Sequence, residues 1–136
     1  MTNKQDPLRD KSFGMALRIV RLYRFLIEEK SEYVMSKQIL RSGTNPGAMV
    51  REAANAESGL DFVHKLGVAQ KEIGETQYWL ELLYKTHYLT KNQYNSLFAD
   101  SEEIMKLIRS SILTKKKNLA KKALLLLFIL TTIFLL

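Results

Sequence analysis

The 136-residue chain is 46% hydrophobic and 26% charged, the balance of one folded domain rather than of a disordered chain. It has no cysteine, which excludes disulfides and thiolate metal sites. The net charge of +7 is unevenly held: residues 1–113 carry 16 basic and 14 acidic side chains, and residues 114–136 carry five lysines and no acid. The high pI therefore says little about nucleic-acid binding by the body of the protein.

The opening residues, MTNKQDPLRDK, lack an apolar run behind a basic start, so no secretory signal is expected there, and residues 1–9 read as an N-terminal extension. Strand signals are scarce, while helix starts recur. Asp10, Ser36, Ser58 and Thr90 each stand before an amphipathic segment, where a side-chain oxygen can accept from free backbone amides. Thr90 with Gln93 has the spacing of a capping box, and Ser58 with Asp61 a looser version. These signals predict helices over residues 11–29, 37–55, 59–87 and 91–113.

The first predicted helix offers two apolar seams, Met15, Ile19, Leu22, Leu26 and Phe13, Leu17, Val20, Ile27. The third has the clearest period: Phe62, Leu66, Ala69, Ile73, Thr76, Leu80 and Leu83 alternate steps of four and three, as in a packed bundle. The fourth repeats it with Tyr94, Leu97, Ser101, Ile104, Ile108 and Ser111. Short connections favour antiparallel neighbours. The expected fold is all-α, an up-down-up-down antiparallel four-helix bundle over residues 10–113, followed by a basic linker and an extra apolar helical tail over 114–136.

The second helix contains RSGTNPGAMVREAA, with two glycines and a proline in about one turn. Glycine costs about 1 kcal/mol and proline about 3 kcal/mol relative to alanine in a helix interior. Gly43 and Gly47 share one helix face, as do Gly67 and Gly74 in the third helix, and missing side chains let backbones approach closely. All four glycines are therefore expected to serve helix packing. Pro46 should bend the helix, with Thr44 or Asn45 satisfying the freed backbone groups. A phosphate-binding glycine loop is rejected, because the lysine and hydroxyl it needs are missing.

Catalytic signals are sparse. A di-iron bundle needs Glu-x-x-His on each of two helices; Asp61 precedes His64 at that offset, but His87 has Tyr84 before it. Asp61 reads instead as a helix-start residue paired with Lys65. Glu72 and Glu75 share a face that reads as solvated or salt-bridged, and no serine sits in a Gly-x-Ser-x-Gly elbow. The chain is expected to be no enzyme and to use no cofactor and no metal. Around Trp79 and Leu82 the third helix is apolar nearly all round, so it buries more than one face, in its own bundle or against another subunit. Arg18, Arg21 and Arg24, with Lys37 and Arg41, form a candidate basic patch for phosphate.

QILRSGTNPGAMVREA followed by DFVHKLGVAQKEIGETQYWLELL resembles the four-helix-bundle proteins encoded by intervening sequences in bacterial 23S ribosomal RNA genes. The likeness covers about residues 10–113. It is most specific at Arg41, Ser42, Gly43, Thr44, Gly47, Ala48 and Glu52, then at Ala69, Lys71, Glu72, Glu75, Thr76, Trp79 and Leu80. It implies a ring-like homo-oligomer, a homopentamer. It also implies kinship with accessory variability determinants of diversity-generating retroelements, which bind nucleic acid and a reverse transcriptase through basic surfaces. By position, Arg18, Arg21, Lys37, Arg41 and Arg51 become the candidates for RNA or DNA binding, while the apolar end of the third helix makes Trp79 and Leu82 the candidates for the oligomer interface. The resulting expectation is a cytoplasmic binding or scaffold protein that associates with itself.

The tail, KKKNLAKKALLLLFILTTIFLL, lies outside the resemblance. From Ala123 it runs 14 residues without a charge, with only Thr131 and Thr132 polar. Three readings stay open: a short membrane anchor, an interfacial or subunit-packed helix, and an end produced by a shifted reading frame. The first would make the chain a membrane-associated interaction protein, in contact with lipid through residues 119–136.

Overall fold

A computed structural model describes residues 5–136; the first four residues of the expected extension lie outside the described part. Four helices follow one another: α1 (Pro7–Glu29), α2 (Met35–Ala54), α3 (Gly59–Lys85) and α4 (Lys91–Leu135). α1 and α3 each pack on α2 and α4, so α1 lies diagonally across from α3. This is the square, up-down-up-down bundle expected from the short connections.

The core is the predicted seam. Leu66, Ala69, Ile73, Thr76, Leu80 and Leu83 of α3 are buried, with Phe62 half-buried beside them. They meet Met15, Ile19, Leu22 and Leu26 of α1, and Leu97, Ile104 and Ile108 of α4. The second seam of α1 is not core: Phe13 and Leu17 are exposed, and Val20 and Ile27 only partly covered.

Two helix starts differ from the sequence expectation. α1 is capped by Asp6, whose Oδ1 accepts from Arg9 N at 3.0 Å, with Pro7 at the first helical position; Asp10 lies inside the first turn. The bundle thus begins three residues before its expected boundary. α2 is capped by Glu32 rather than Ser36: the carboxylate accepts from the amides of Val34, Met35 and Ser36 at 3.0, 3.0 and 2.6 Å. Ser36 is buried in the first turn, its amide held by the Glu32 carboxylate. Burial pushes the Glu32 carboxyl up, but the three amides outweigh it and hold its pKa below the ordinary value. Ser58 and the Thr90–Gln93 capping box sit as expected.

α3 ends on His87 at φ 68°, with Tyr88 N donating to Leu83 O and His87 N to Tyr84 O, the paired bonds of a Schellman turn. α2 runs as continuous helix through Pro46. Thr44 does not serve the carbonyl that Pro46 leaves free; its hydroxyl donates to Leu40 O at 2.7 Å.

Gly43 is a close-approach position: a Cβ there would lie 2.7 Å from Ile19 Cγ1 and 2.9 Å from Cγ2. At Gly47 the nearest atom it would meet is Ser12 O, at 3.4 Å. At Gly67 and Gly74 nothing lies within 4 Å, and both are exposed. Their shared face points away from the bundle, so they pack no helix of their own protomer.

Candidate functional site

The five candidate cations fall on different sides of the bundle. Arg18 pairs with Asp100 of α4 and donates to Ser96 Oγ at 2.9 Å. Arg21 lies one turn on, where Arg18, Arg21, Leu22, Phe25, Leu89 and Leu97 line a groove of about 250 Å³ between α1 and α4. A second groove of about 340 Å³ opens lower on the same seam, beside the Lys11–Glu103 pair. Arg41 points the other way, into the α2–α3 seam, where it meets Glu72 at 3.4 Å and Glu75 at 2.5 Å. Arg51 lies over the Phe13 ring at 5.1 Å, on the α1–α2 side, and Lys37 is exposed on α2.

Arg18 and Arg41 therefore sit in opposite seams, and one continuous patch does not form on a protomer. Both guanidiniums are already matched by carboxylates. Among the described residues, Arg21, Lys37 and Arg51 meet no carboxylate within ion-pair distance.

The α2–α3 seam holds the most connected polar cluster. Glu75 accepts from Arg41 and from Trp79 Nε1, the latter at 3.3 Å. Burial pushes the Glu75 carboxyl up, but these donors outweigh it and its pKa falls below the ordinary value. Glu75, by hydrogen bond and charge, and then Glu72 raise the pKa of Arg41. Deeper in, the Thr76 hydroxyl lies 2.8 Å from Glu72 O and 3.1 Å from Ser42 Oγ. Its single proton suits the carbonyl, which leaves Thr76 an acceptor for Ser42. Trp79 thus belongs largely to its own protomer's seam. Leu82 instead faces outward, half-buried beside exposed Tyr78 and Lys85 around a shallow depression of about 230 Å³.

Elsewhere, Lys65 pairs with Glu52 at 3.7 Å rather than with Asp61, whose Oδ2 accepts from Glu57 N. No cluster of three metal-ligating side chains occurs among the described residues.

The family model described as 23S rRNA-intervening sequence protein matches residues 6–110. The chain belongs to this family. A solved crystal structure of a protein with unknown function from the S23 ribosomal protein family, from Bacteroides thetaiotaomicron, is similar to it. The identity is 57% and the TM-score 0.77, covering 77% of this chain and 94% of that one. No curated protein matches the chain.

Family membership gives the α2–α3 cluster its context. Arg41, Ser42, Glu72, Glu75 and Thr76, which carry the resemblance, link α2 to α3, and Trp79 braces Glu75 from within α3. In this chain they read as architecture. Outside this cluster, the outer faces of α1 and α3 are largely exposed. Phe13, Leu17, Arg21 and Arg24 share the first, and Gly67, Lys71, Gly74, Tyr78 and Leu82 the second. Sequence spacing pairs residues on a helix face but does not say which neighbour that face meets, so it cannot reveal the separation of the arginines.

Proposed function

We propose that this protein is a non-enzymatic bundle that assembles into a closed homo-oligomer and works as a binding or scaffold protein, with RNA or DNA as its partner. The observation that carries the reading is the diagonal placement of two outward apolar faces: Phe13 and Leu17 on α1, Tyr78 and the half-buried Leu82 on α3. Two different surfaces on opposite corners favour head-to-tail contact, and a head-to-tail contact whose rotation closes makes a ring. Such a contact gives Gly67 and Gly74 a packing role between copies that they lack within one. Ring closure also multiplies Arg21, Lys37 and Arg51, which are too dispersed on a single protomer to follow a phosphate backbone.

Light scattering on residues 1–117 tests the assembly. The expected mass is that of a pentamer, and Leu82→Glu should shift it toward monomer by placing a charge in the interface. A wild-type body that runs as a monomer at micromolar concentration overturns the reading. For the partner, gel shifts with RNA and DNA should weaken steeply with salt. Converting Arg21, Lys37 and Arg51 to glutamine should flatten the log–log salt slope by about 0.9 for each duplex phosphate no longer neutralised.

A further inference from the structure

α4 outruns the bundle. It last touches the body through Lys115 Nζ, 5.3 Å from the centre of the Phe62 ring, and through Leu119, which covers Gly59 so closely that a Cβ there would lie 2.7 Å from Leu119 Cδ2. From Ala120 to Leu136 every residue is exposed, with Leu124 to Leu127 at 59–67% and Phe134 at 91%. By length and composition alone, α4 contains an 18-residue window apolar enough to cross a membrane, and none of that window is buried against the protein.

The placement of the lysines separates the ways of covering such a rod. At 100° per residue, Lys115, Lys116, Lys117, Lys121 and Lys122 point all round the helix axis, forming a collar rather than a stripe. The residues after them are apolar all round. Thr131 and Thr132 both return their hydroxyls to Phe128 O, at 2.8 and 2.9 Å. A helix lying flat on an interface needs a polar face along its length. A helix packed on another protein helix needs one apolar stripe, not leucines on every side. A cationic collar followed by an all-round apolar rod suits end-on entry into a bilayer, with anionic headgroups around the collar.

We propose that residues 119–136 insert end-on into an anionic lipid bilayer, with the lysine collar in the headgroup layer and the bundle standing on that surface. The 13 helical residues from Ala123 to Leu135 give about 20 Å of helix. Counting back to Leu119, with Lys121 and Lys122 snorkelling outward, gives 17 helical residues and about 26 Å, close to the hydrocarbon thickness of a thinner bilayer. Because α4 is unbroken from Lys91, the bundle end turned to the lipid is the one carrying Leu60, 75% exposed at the start of α3.

Flotation of the full chain, diluted from detergent onto phosphatidylcholine vesicles with and without phosphatidylglycerol, tests this. The protein should float with the anionic vesicles and stay bound through a high-salt wash. Leu127→Asp should lower binding about a hundredfold, as expected for a carboxylate deep in the hydrocarbon. Converting all five collar lysines to glutamine should remove the preference for phosphatidylglycerol and weaken binding to it by about tenfold or more. Release by high salt, equal flotation of Leu127→Asp, or a full chain that stays soluble without detergent as an oligomer joined through its tails would each overturn the proposal.

Discussion

Gly43 offers a direct measurement of how tightly α1 and α2 are fitted. A Cβ at that position falls 2.7, 2.9 and 3.1 Å from three carbons of Ile19, a side chain only 1% exposed and branched next to its backbone. The near carbons cannot swing aside as the tip of a lysine could, so Gly43→Ala forces a helix or a rotamer to shift, at about 1–3 kcal/mol. Against this stands about 1 kcal/mol of helix propensity gained on replacing glycine. Gly14→Ala isolates the second quantity, since nothing lies within 4 Å of its Cβ position and it too is inside a helix. Gly14→Ala should therefore stabilise by up to about 1 kcal/mol, and Gly43→Ala should lie about 1–3 kcal/mol below it. For a body of this size each kcal/mol moves the midpoint by about 4 °C, so thermal or urea unfolding of residues 1–117 resolves the difference. In the Ile19→Ala background the penalty at Gly43 should largely disappear, a coupling that a double-mutant cycle reads out. If Gly43→Ala stabilises as much as Gly14→Ala, the close-packing account is wrong.

Three other perturbations probe separate features. His87→Gly should raise stability by about 1 kcal/mol in urea unfolding, because a left-handed conformation costs a side-chain-bearing residue and not glycine. Glu32 has a folded pKa below its unfolded value, so its stabilising contribution is complete above the unfolded value and is lost as pH falls through the folded one; Glu32→Gln should flatten acid unfolding in that range. Thr76→Val strands the buried Ser42 hydroxyl and should cost about 1–3 kcal/mol, while the added change Ser42→Ala should recover much of it.

Where a feature depends on residues near each other in sequence, the chain is readable. The seam of α3, the Thr90–Gln93 box and the Ser58 cap all follow from spacings of three and four. Asp6 before Pro7 is equally local, a cap followed by proline at the first helical position, and it outranks Asp10 once the proline is given its weight. Glu32 is harder, because its carboxylate reaches forward from a loop to three amides and matches no short cap pattern. His87 gives no warning of a helix end, since no glycine marks it. Gly67 and Gly74 show the limit most clearly: their spacing puts them on one face, but only the packed bundle shows that this face is turned outward. Arg18 and Arg41 are parted for the same reason, one drawn to α4 by Asp100 and the other to α3 by Glu75.

The α1–α4 seam has a kinetic consequence. The other three seams join helices adjacent in the chain across connections of only a few residues, so each can form as a local hairpin with little loop entropy to overcome. The fourth seam brings together Lys11 with Glu103 and Arg18 with Asp100, pairs 92 and 82 residues apart, and two grooves open along it. Its long sequence separation should make it the last to close during folding and the first to part when the native state fluctuates. Amides of α1 should accordingly exchange with solvent through an opening smaller than global unfolding, in which α1 leaves α4 and peels from α2 while the α2–α3 polar cluster, locked at Ser42 and Thr76, stays shut.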